Sequence, residues 1–273
     1  MNIQEYLIYD LPTYVWALCG VTVAAMLYLL LFFTVALRRV SRRAADDSDA
    51  PLPDSGYPEV SVVVLAQGSH DQFADLLGDI YSQDYPAETE VIVVADGSCT
   101  EIERTVGMMQ HEHSNLYLTV LPENSRNLSR RKLAITLGVK AARFDTVLLT
   151  EANCRIASDQ WIRRMARHFA AGKRVVAGYA AINPEDDTEG AFRSRAFEST
   201  WEAVSWLAPA IAGYPRRGTG FNLAYSRELF FANKGFSNTL NLNFGDDDIF
   251  ISEIADRRNS TVELSEEARV VYS

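Results

Sequence analysis

Residues 14–37 read YVWALCGVTVAAMLYLLLFFTVAL, an apolar run of 24 residues without a charge. As a helix it extends about 36 Å, enough to cross a hydrocarbon core of about 30 Å. A buried helix of a soluble protein would carry a polar face, and a cleaved leader would open on basic residues and close on small ones. The run is therefore expected to span a membrane. After residue 58 the pattern changes to short Val-, Ile- and Leu-rich runs that alternate with segments of helical period. Strands are expected at Val60–Ala66 (VSVVVLA), 90–95 (EVIVVA), Leu116–Leu121 (LYLTVL), 146–150 (TVLLT) and 175–180 (VVAGYA), and helices at 72–82, 101–109, 129–142 and 158–171. Near-continuous apolar strands separated by amphipathic helices imply an α/β domain with a mostly parallel sheet covered on both faces. Between the two patterns, residues 41–58 (SRRAADDSDAPLPDSGYP) are rich in Asp, Ser and Pro without apolar periodicity and read as a linker. The expected organisation is an anchor at 1–40, a linker at 41–58 and an α/β domain at 59–273.

Charge narrows the partners. The 273 residues include 26 Lys plus Arg against 36 Asp plus Glu, a formal net charge of −10. Nucleic-acid binders present basic surface, so no nucleic acid is expected and any anionic ligand must be held by local groups. No Lys or Arg precedes the apolar run, whereas Arg38, Arg39, Arg42 and Arg43 follow it directly. This asymmetry places the bulk of the chain on the cytoplasmic side of an inner membrane, crossed once. A topology signal suffices to explain these arginines, and contact with anionic headgroups is compatible with it. Cys19, Cys99 and Cys154 are odd in number, far apart and without C-x-x-C spacing, so neither a disulfide framework nor a zinc site is expected.

Ligands of parallel α/β sheets sit beyond the carboxyl ends of the strands, which directs attention to residues 67–71, 96–100, 122–126 and 151–155. Asp96-Gly97-Ser98 puts a carboxylate where a nucleobase or ribose could donate to it, beside a glycine that admits a ligand to the backbone; a turn with Asp capping the next helix explains the same residues. Glu151-Ala152-Asn153 sets two oxygen donors one residue apart. Mg²⁺ or Mn²⁺ on phosphates needs only one or two carboxylates, although a polar strand-to-helix turn looks alike. Gly245-Asp246-Asp247-Asp248 precedes the helical IFISEIA. A helix N-terminus favours one or two acids; three in a row repel, which can raise a pKa toward the range of a general base. Arg130, Arg131 and Lys132, like Arg216 and Arg217, either offset phosphate charge or form a solvated face. GTGFNL lacks the third glycine of a dinucleotide fingerprint, the four histidines form no metal-ligand pattern, and no nucleophile elbow or Walker sequence occurs.

Taken in order, these segments resemble a family 2 inverting glycosyltransferase of the GT-A fold carrying a membrane anchor, over most of residues 60–272. VSVVVLA opens as that family does, and Gln83-Asp84-Tyr85-Pro86 matches its Q-D-Y-P. VIVVADGS is similar to V-V-D-D-G-S, with Ala95 replacing the first Asp and Asp96 retained. LSRRKLAITLGVKAA resembles the family's lysine-containing stretch, LLTEANC its L-L-T-D-A-D-C, and GTGFNLAYSRELFFANKGF its G-x-G-x-N-L-A-Y motif. GDDDIF occupies the place of the base motif. The resemblance implies a GT-A sheet flanked by helices and a transfer, with inversion, of a sugar from a nucleotide-diphosphate sugar, expected to be a UDP-sugar. The acceptor would be a hydroxyl of a glycan or lipid-linked glycan, and the cofactor a divalent cation, Mg²⁺ or Mn²⁺. By the same resemblance Asp247 is the general base, while Asp96, Lys132 and Glu151 bind the nucleotide. Glu151 and Asn153 hold the metal, and Asp246, Asn222 and Trp206 meet the acceptor, near Trp201 and Tyr214.

Departures from the pattern matter. The family's A-x-N-E is Ala66-Gln67-Gly68-Ser69 here, and its D-x-D is E-A-N. They leave two other readings, a weak or inactive relative that binds nucleotide or a partner, and a tethered scaffold with no nucleotide site. One span cannot line a translocation channel, so export of a polymer by a single copy is not expected. Members of the family commonly continue past the strand that ARVVYS resembles, so the domain is expected to lack a C-terminal segment.

Overall fold

The computed structural model describes residues 12–67, 72–97, 100–122, 128–183 and 192–273. Its first element, helix α1 (Thr13–Asp49), holds the apolar run, and among the described residues it is the one helix long and apolar enough to cross a membrane. The helix does not stop where a linker was expected. It continues through Ser41 to Asp49, which corrects the 41–58 boundary: only the stretch after Asp49 is irregular. Tertiary contacts override the polar composition. Asp47 is buried, accepts from Arg43 Nε one turn earlier at 2.8 Å and from the Leu264 N–H at 3.0 Å, and pairs with Arg167 at 3.2 Å. The carbonyls of Asp47, Ser48 and Ala50 accept from the Arg164 guanidinium at 3.0, 3.3 and 2.9 Å, a cation set against the negative end of the helix dipole.

The sheet of seven strands runs in the order β3-β2-β1-β4-β8-β6-β9. Its parallel half comprises β1 (Val60–Ala66), β2 (Thr89–Asp96), β3 (Leu116–Leu121) and β4 (Thr146–Glu151). β8 (Leu223–Ser226) is antiparallel to both its neighbours, β4 and β6 (Val175–Gly178), and β9 (Ser260–Glu263) pairs parallel to β6. Every β1 residue is buried because helices cover both faces. Val62 and Val64 pack toward α2 (Phe73–Tyr81) and α5 (Trp161–Ala170), with α3 (Thr100–Met109) on the same side. Val63 and Leu65 face α4 (Arg130–Ala141), α6 (Phe192–Ile211), α7 (Arg227–Ala232) and α8 (Ile249–Ile254). Each such valine contributes about 1.5–3 kcal/mol by leaving water. Gly138 lets α4 approach β1; a Cβ there would lie 2.3 Å from Val63 Cγ1.

The expected strand 175–180 divides. β6 ends at Gly178 and the chain passes through Tyr179 into β7 (Ala180–Ile182), which belongs to a second sheet. There β10 (Val270–Tyr272) pairs parallel to β7 and antiparallel to β5 (Cys154–Ile156). This small sheet carries Tyr272 to the carboxyl edge of the large one. α1 joins the domain through α6: Phe33 stacks on Trp201 with centroids 4.2 Å apart, and Ala36 packs with Val204 and Ala208.

Candidate active site

Glu151 ends β4 opposite Leu65 of β1, and Asp96 ends β2 one residue past the Ala66–Ala95 pair. Both emerge at the carboxyl edge on either side of β1, where the sheet changes its direction of growth and α/β proteins place their ligands. The side chain of Asp96 lies outside the described residues, as do Gly68, Ser69, Ser98 and Cys99.

Gly245, with φ of +93°, turns the chain in a conformation that favours glycine and launches the acidic triplet. The three acids then part. Asp248 caps α8, its Oδ1 accepting from the Ile249 N–H at 2.6 Å. Buried Asp246 takes Arg131 Nε at 2.5 Å on Oδ2. Arg131 also pairs through Nη2 with Glu151 Oε1 at 2.6 Å, so one guanidinium joins the acid of the β4 edge to the acid of the triplet. Burial alone would loosen the Arg131 proton, but the charges and hydrogen bonds of Glu151 and Asp246 outweigh it and hold the proton more tightly than usual.

Asp247 is left facing a cavity of about 180 Å³ lined by Trp206, Tyr179, Phe221, Tyr272 and Arg217 among others. Phe221 and Tyr272 stack there with centroids 4.3 Å apart, and Arg217 pairs with Glu202 at 2.6 Å. Burial, and then the neighbouring Asp246, push the Asp247 carboxyl above its ordinary value, against a partial opposing pull from Arg217 and Arg131. Arg217 Nη2 stands 4.0 Å from Asp247 Oδ2. The site thus pairs a carboxylate of raised proton affinity with an aromatic floor, beside a fixed cation on Glu151.

Of the residues expected at a site, the structure gathers Glu151, Asp246, Asp247 and Trp206. It separates others. Lys132 is fully buried, with Nζ donating to the Thr239 carbonyl at 2.8 Å and lying 5.7 Å from the Phe236 ring centre, so it braces the core. Its neighbour Arg131 is the cation of the site, which the run Arg130-Arg131-Lys132 announced without saying which member faces inward. Asn222 is held within the core. It is buried, accepting from Trp161 Nε1 at 3.0 Å and donating to the Tyr179 and Ala268 carbonyls at 3.0 and 2.8 Å. Asn153 Nδ2 donates to the Ser273 carbonyl at 2.9 Å, away from the Glu151–Arg131 pair. Asp246 is engaged by Arg131 and not presented to the cavity, Trp201 belongs to the contact with α1, and Tyr214 is exposed. Cys154 is buried with its thiol pushed up to about 12 by desolvation, an inert packing residue.

A second acidic group, Asp47, Glu263 and His168, brings its ligand atoms within 4.8 Å of one another. Arg167 already pairs with both acids there, at 3.2 Å to Asp47 and 2.7 Å to Glu263. That centre has its cation.

A mostly parallel sheet flanked by helices, its acids collected where the sheet changes direction, has the GT-A architecture. The chain belongs to the family described as "Glycosyltransferase like family 2", whose model matches residues 58–198. Among solved structures it is similar to the mannosyltransferase PcManGT from Pyrobaculum calidifontis in complex with GDP-Man and Mn²⁺, at 21% identity and a TM-score of 0.64, over 93% of this chain and 66% of that one. This chain therefore spans a little under two thirds of that protein's length, and at such identity the likeness is one of fold. No curated protein matches the sequence.

Proposed function

We propose that this chain is a membrane-anchored glycosyltransferase that moves a sugar from a nucleotide-diphosphate sugar to an acceptor hydroxyl with inversion, Asp247 acting as general base. The observation that carries this reading is the division of labour among the acids. Asp248 caps a helix and Asp246 is neutralised, while Asp247 faces an aromatic-lined cavity with raised proton affinity. A base so placed takes the proton of an acceptor hydroxyl as its oxygen attacks the anomeric carbon, and the nucleoside diphosphate departs from the opposite face. A single displacement inverts that carbon. Trp206 and the stacked Phe221 and Tyr272 offer flat apolar faces to a sugar ring and exclude water around the base.

Glu151 is the carboxylate that would take a divalent cation, because one carboxylate with phosphate oxygens completes such a site, and the metal would compete there with its ion pair to Arg131. Asn153 donates through Nδ2 to the Ser273 carbonyl, which leaves its Oδ1 as the oxygen that would join the cation. When bound, the cation would neutralise the leaving diphosphate. Arg131 supports the same charge from the protein side, its guanidinium matching two phosphate oxygens. The donor could carry uridine, as the sequence resemblance implies, or guanosine, the base of the PcManGT ligand. By its arginine asymmetry α1 leaves the domain on the cytoplasmic side of an inner membrane.

The test is release of nucleoside diphosphate by the purified chain from a panel of UDP- and GDP-sugars, with and without Mn²⁺ or Mg²⁺, beside Asp247→Asn. Turnover lost in that variant supports the reading; turnover retained contradicts it. The departure of Asn153 favours a second reading, a relative that binds nucleotide without transfer. Nucleotide-dependent stabilisation without turnover on any donor would select that reading.

A further inference from the structure

The cleft between α1 and the end of α6 plays no part in the transfer site. Val35, Arg38, Arg39, Arg42 and Asp46 form one stripe of α1 along it, and Ile211 closes the opposite wall around a volume of about 540 Å³. Arg43 turns aside to Asp47. Arg38, Arg39 and Arg42 are exposed and make no ion pair among the described residues, although the chain has 36 acids for 26 bases. Three neighbouring unpaired guanidinium groups repel one another, and an anion seated among them removes that repulsion. A topology signal requires only charge; it requires neither a cleft nor an apolar wall.

The lining is graded in depth. Apolar Val35 stands nearest the membrane run, and Arg42 follows about 10 Å further along the helix axis. Acyl chain and phosphate of a phospholipid are ordered in that sense. Phe33, stacked on Trp201, and the exposed Phe197, 6.2 Å from Trp201, put aromatic rings near the same junction, where interfacial aromatic belts sit. A neighbouring cleft that shares Arg43 and Ile211 adds Lys173 and Arg257 to the basic lining.

We infer that this cleft binds the phosphodiester of an anionic glycerophospholipid, gripped by Arg38, Arg39 and Arg42. The inference rests on α1 being a membrane span. Asp46 at the outer end opposes further negative charge, which favours a singly charged headgroup over a polyphosphorylated one. Because α6 also supplies Trp206 to the Asp247 cavity, a seated lipid would fix that cavity relative to the inner leaflet.

The experiment uses the full chain purified in detergent and transferred to nanodiscs of phosphatidylcholine alone or mixed with phosphatidylglycerol, with retained lipid counted by native mass spectrometry. One phosphatidylglycerol held about tenfold more tightly than phosphatidylcholine is expected. R38Q/R39Q/R42Q should abolish the preference. R38K/R39K/R42K, which preserves the insertion charge but lacks planar forks, should weaken it several-fold. R104Q/K140Q/K234Q, removing equal charge elsewhere, should leave it intact. No preference in the unmodified chain, or equal losses in the two Gln variants, overturns the inference; displacement of the lipid by millimolar inorganic phosphate identifies a free-anion site and overturns the lipid assignment. Recovery of the chain in the soluble fraction without detergent would instead refute the membrane span on which the inference rests.

Discussion

Among the arginines that join pairs of carboxylates, Arg167 and Arg131 do so to opposite ends. Arg167 links Asp47 at the end of α1 to Glu263 at the end of β9, in a centre where the arginine side chain is 7% exposed and Glu263 0%. Their remaining valences are met: the Leu264 N–H donates to Asp47, and the Ser265 N–H and His168 contact Glu263. Arg131 links Glu151 to Asp246 with its side chain 28% exposed, and among the described residues no backbone amide donates to either acid. Burial and these added donors mark the first as a lock between α1 and the domain. Incompleteness marks the second as a place where a ligand's charges can enter.

The largest expected effect breaks the lock. Arg167→Ala removes the cation shared by two buried carboxylates, leaving Asp47 with Arg43 and Glu263 with His168, and should cost about 3–5 kcal/mol in unfolding free energy, read by denaturant titration of the purified chain. A cost near zero would erase the distinction between the centres. Arg131→Ala should cost less stability, about 1–2 kcal/mol, because Arg131 and Glu151 are partly exposed and only Asp246 is buried. It should lower transfer by about a hundredfold or more through loss of positive charge at the leaving diphosphate. Mn²⁺ should also raise the melting temperature of this variant more than that of the unmodified chain, since the freed Glu151 and Asp246 accept a replacement cation; equal shifts would show that the guanidinium and the metal do not share a place.

Acid separates the centres further. Burial raises the Glu263 carboxyl, but the His168 hydrogen bond and charge, with Arg167 and Ser265, hold it below its ordinary 4.5 overall. Its contribution to stability is therefore complete above about pH 4.5 and lost as pH falls through the lower folded value. Asp247 runs the other way. Its proton is held above the ordinary 3.8, so the acid limb of the transfer rate should have its midpoint above that value, with activity rising as the carboxylate ionises. A midpoint at or below 3.8 would deny it the role of base. The smallest effect belongs to Asn153→Ala, which should weaken the cation requirement only slightly, because a neutral amide oxygen adds little beside the Glu151 carboxylate and phosphate oxygens.

Runs whose burial is local in cause were legible. Val60–Ala66 has the predicted bounds because a strand covered on both faces must be continuously apolar; Leu116–Leu121 also has them, although it is an edge strand whose Tyr117 and Val120 are exposed. The end of α1 was misread as linker because what holds it, Arg167 and Glu263, lies well over a hundred residues away. Trp206 and Asp247 line one cavity, and of the two only Asp247 belongs to a motif of the family pattern. The burial of Lys132 and Asn222 was not legible, for a different reason. Which residue of a basic run faces the site depends on helix phase, and burial of Asn222 depends on its reach to Tyr179 and Ala268.

The most direct measurement is a paired one on Asp247→Asn, titrating nucleoside-diphosphate binding and sugar transfer on the same preparation. Binding within about twofold of the unmodified chain, transfer lowered by about 10²–10⁴, and stability equal or up to about 1 kcal/mol higher are the predicted results, since the change removes a base and one of two repelling charges. Transfer that survives with binding intact would contradict the assignment of Asp247 and, with it, the account of this site.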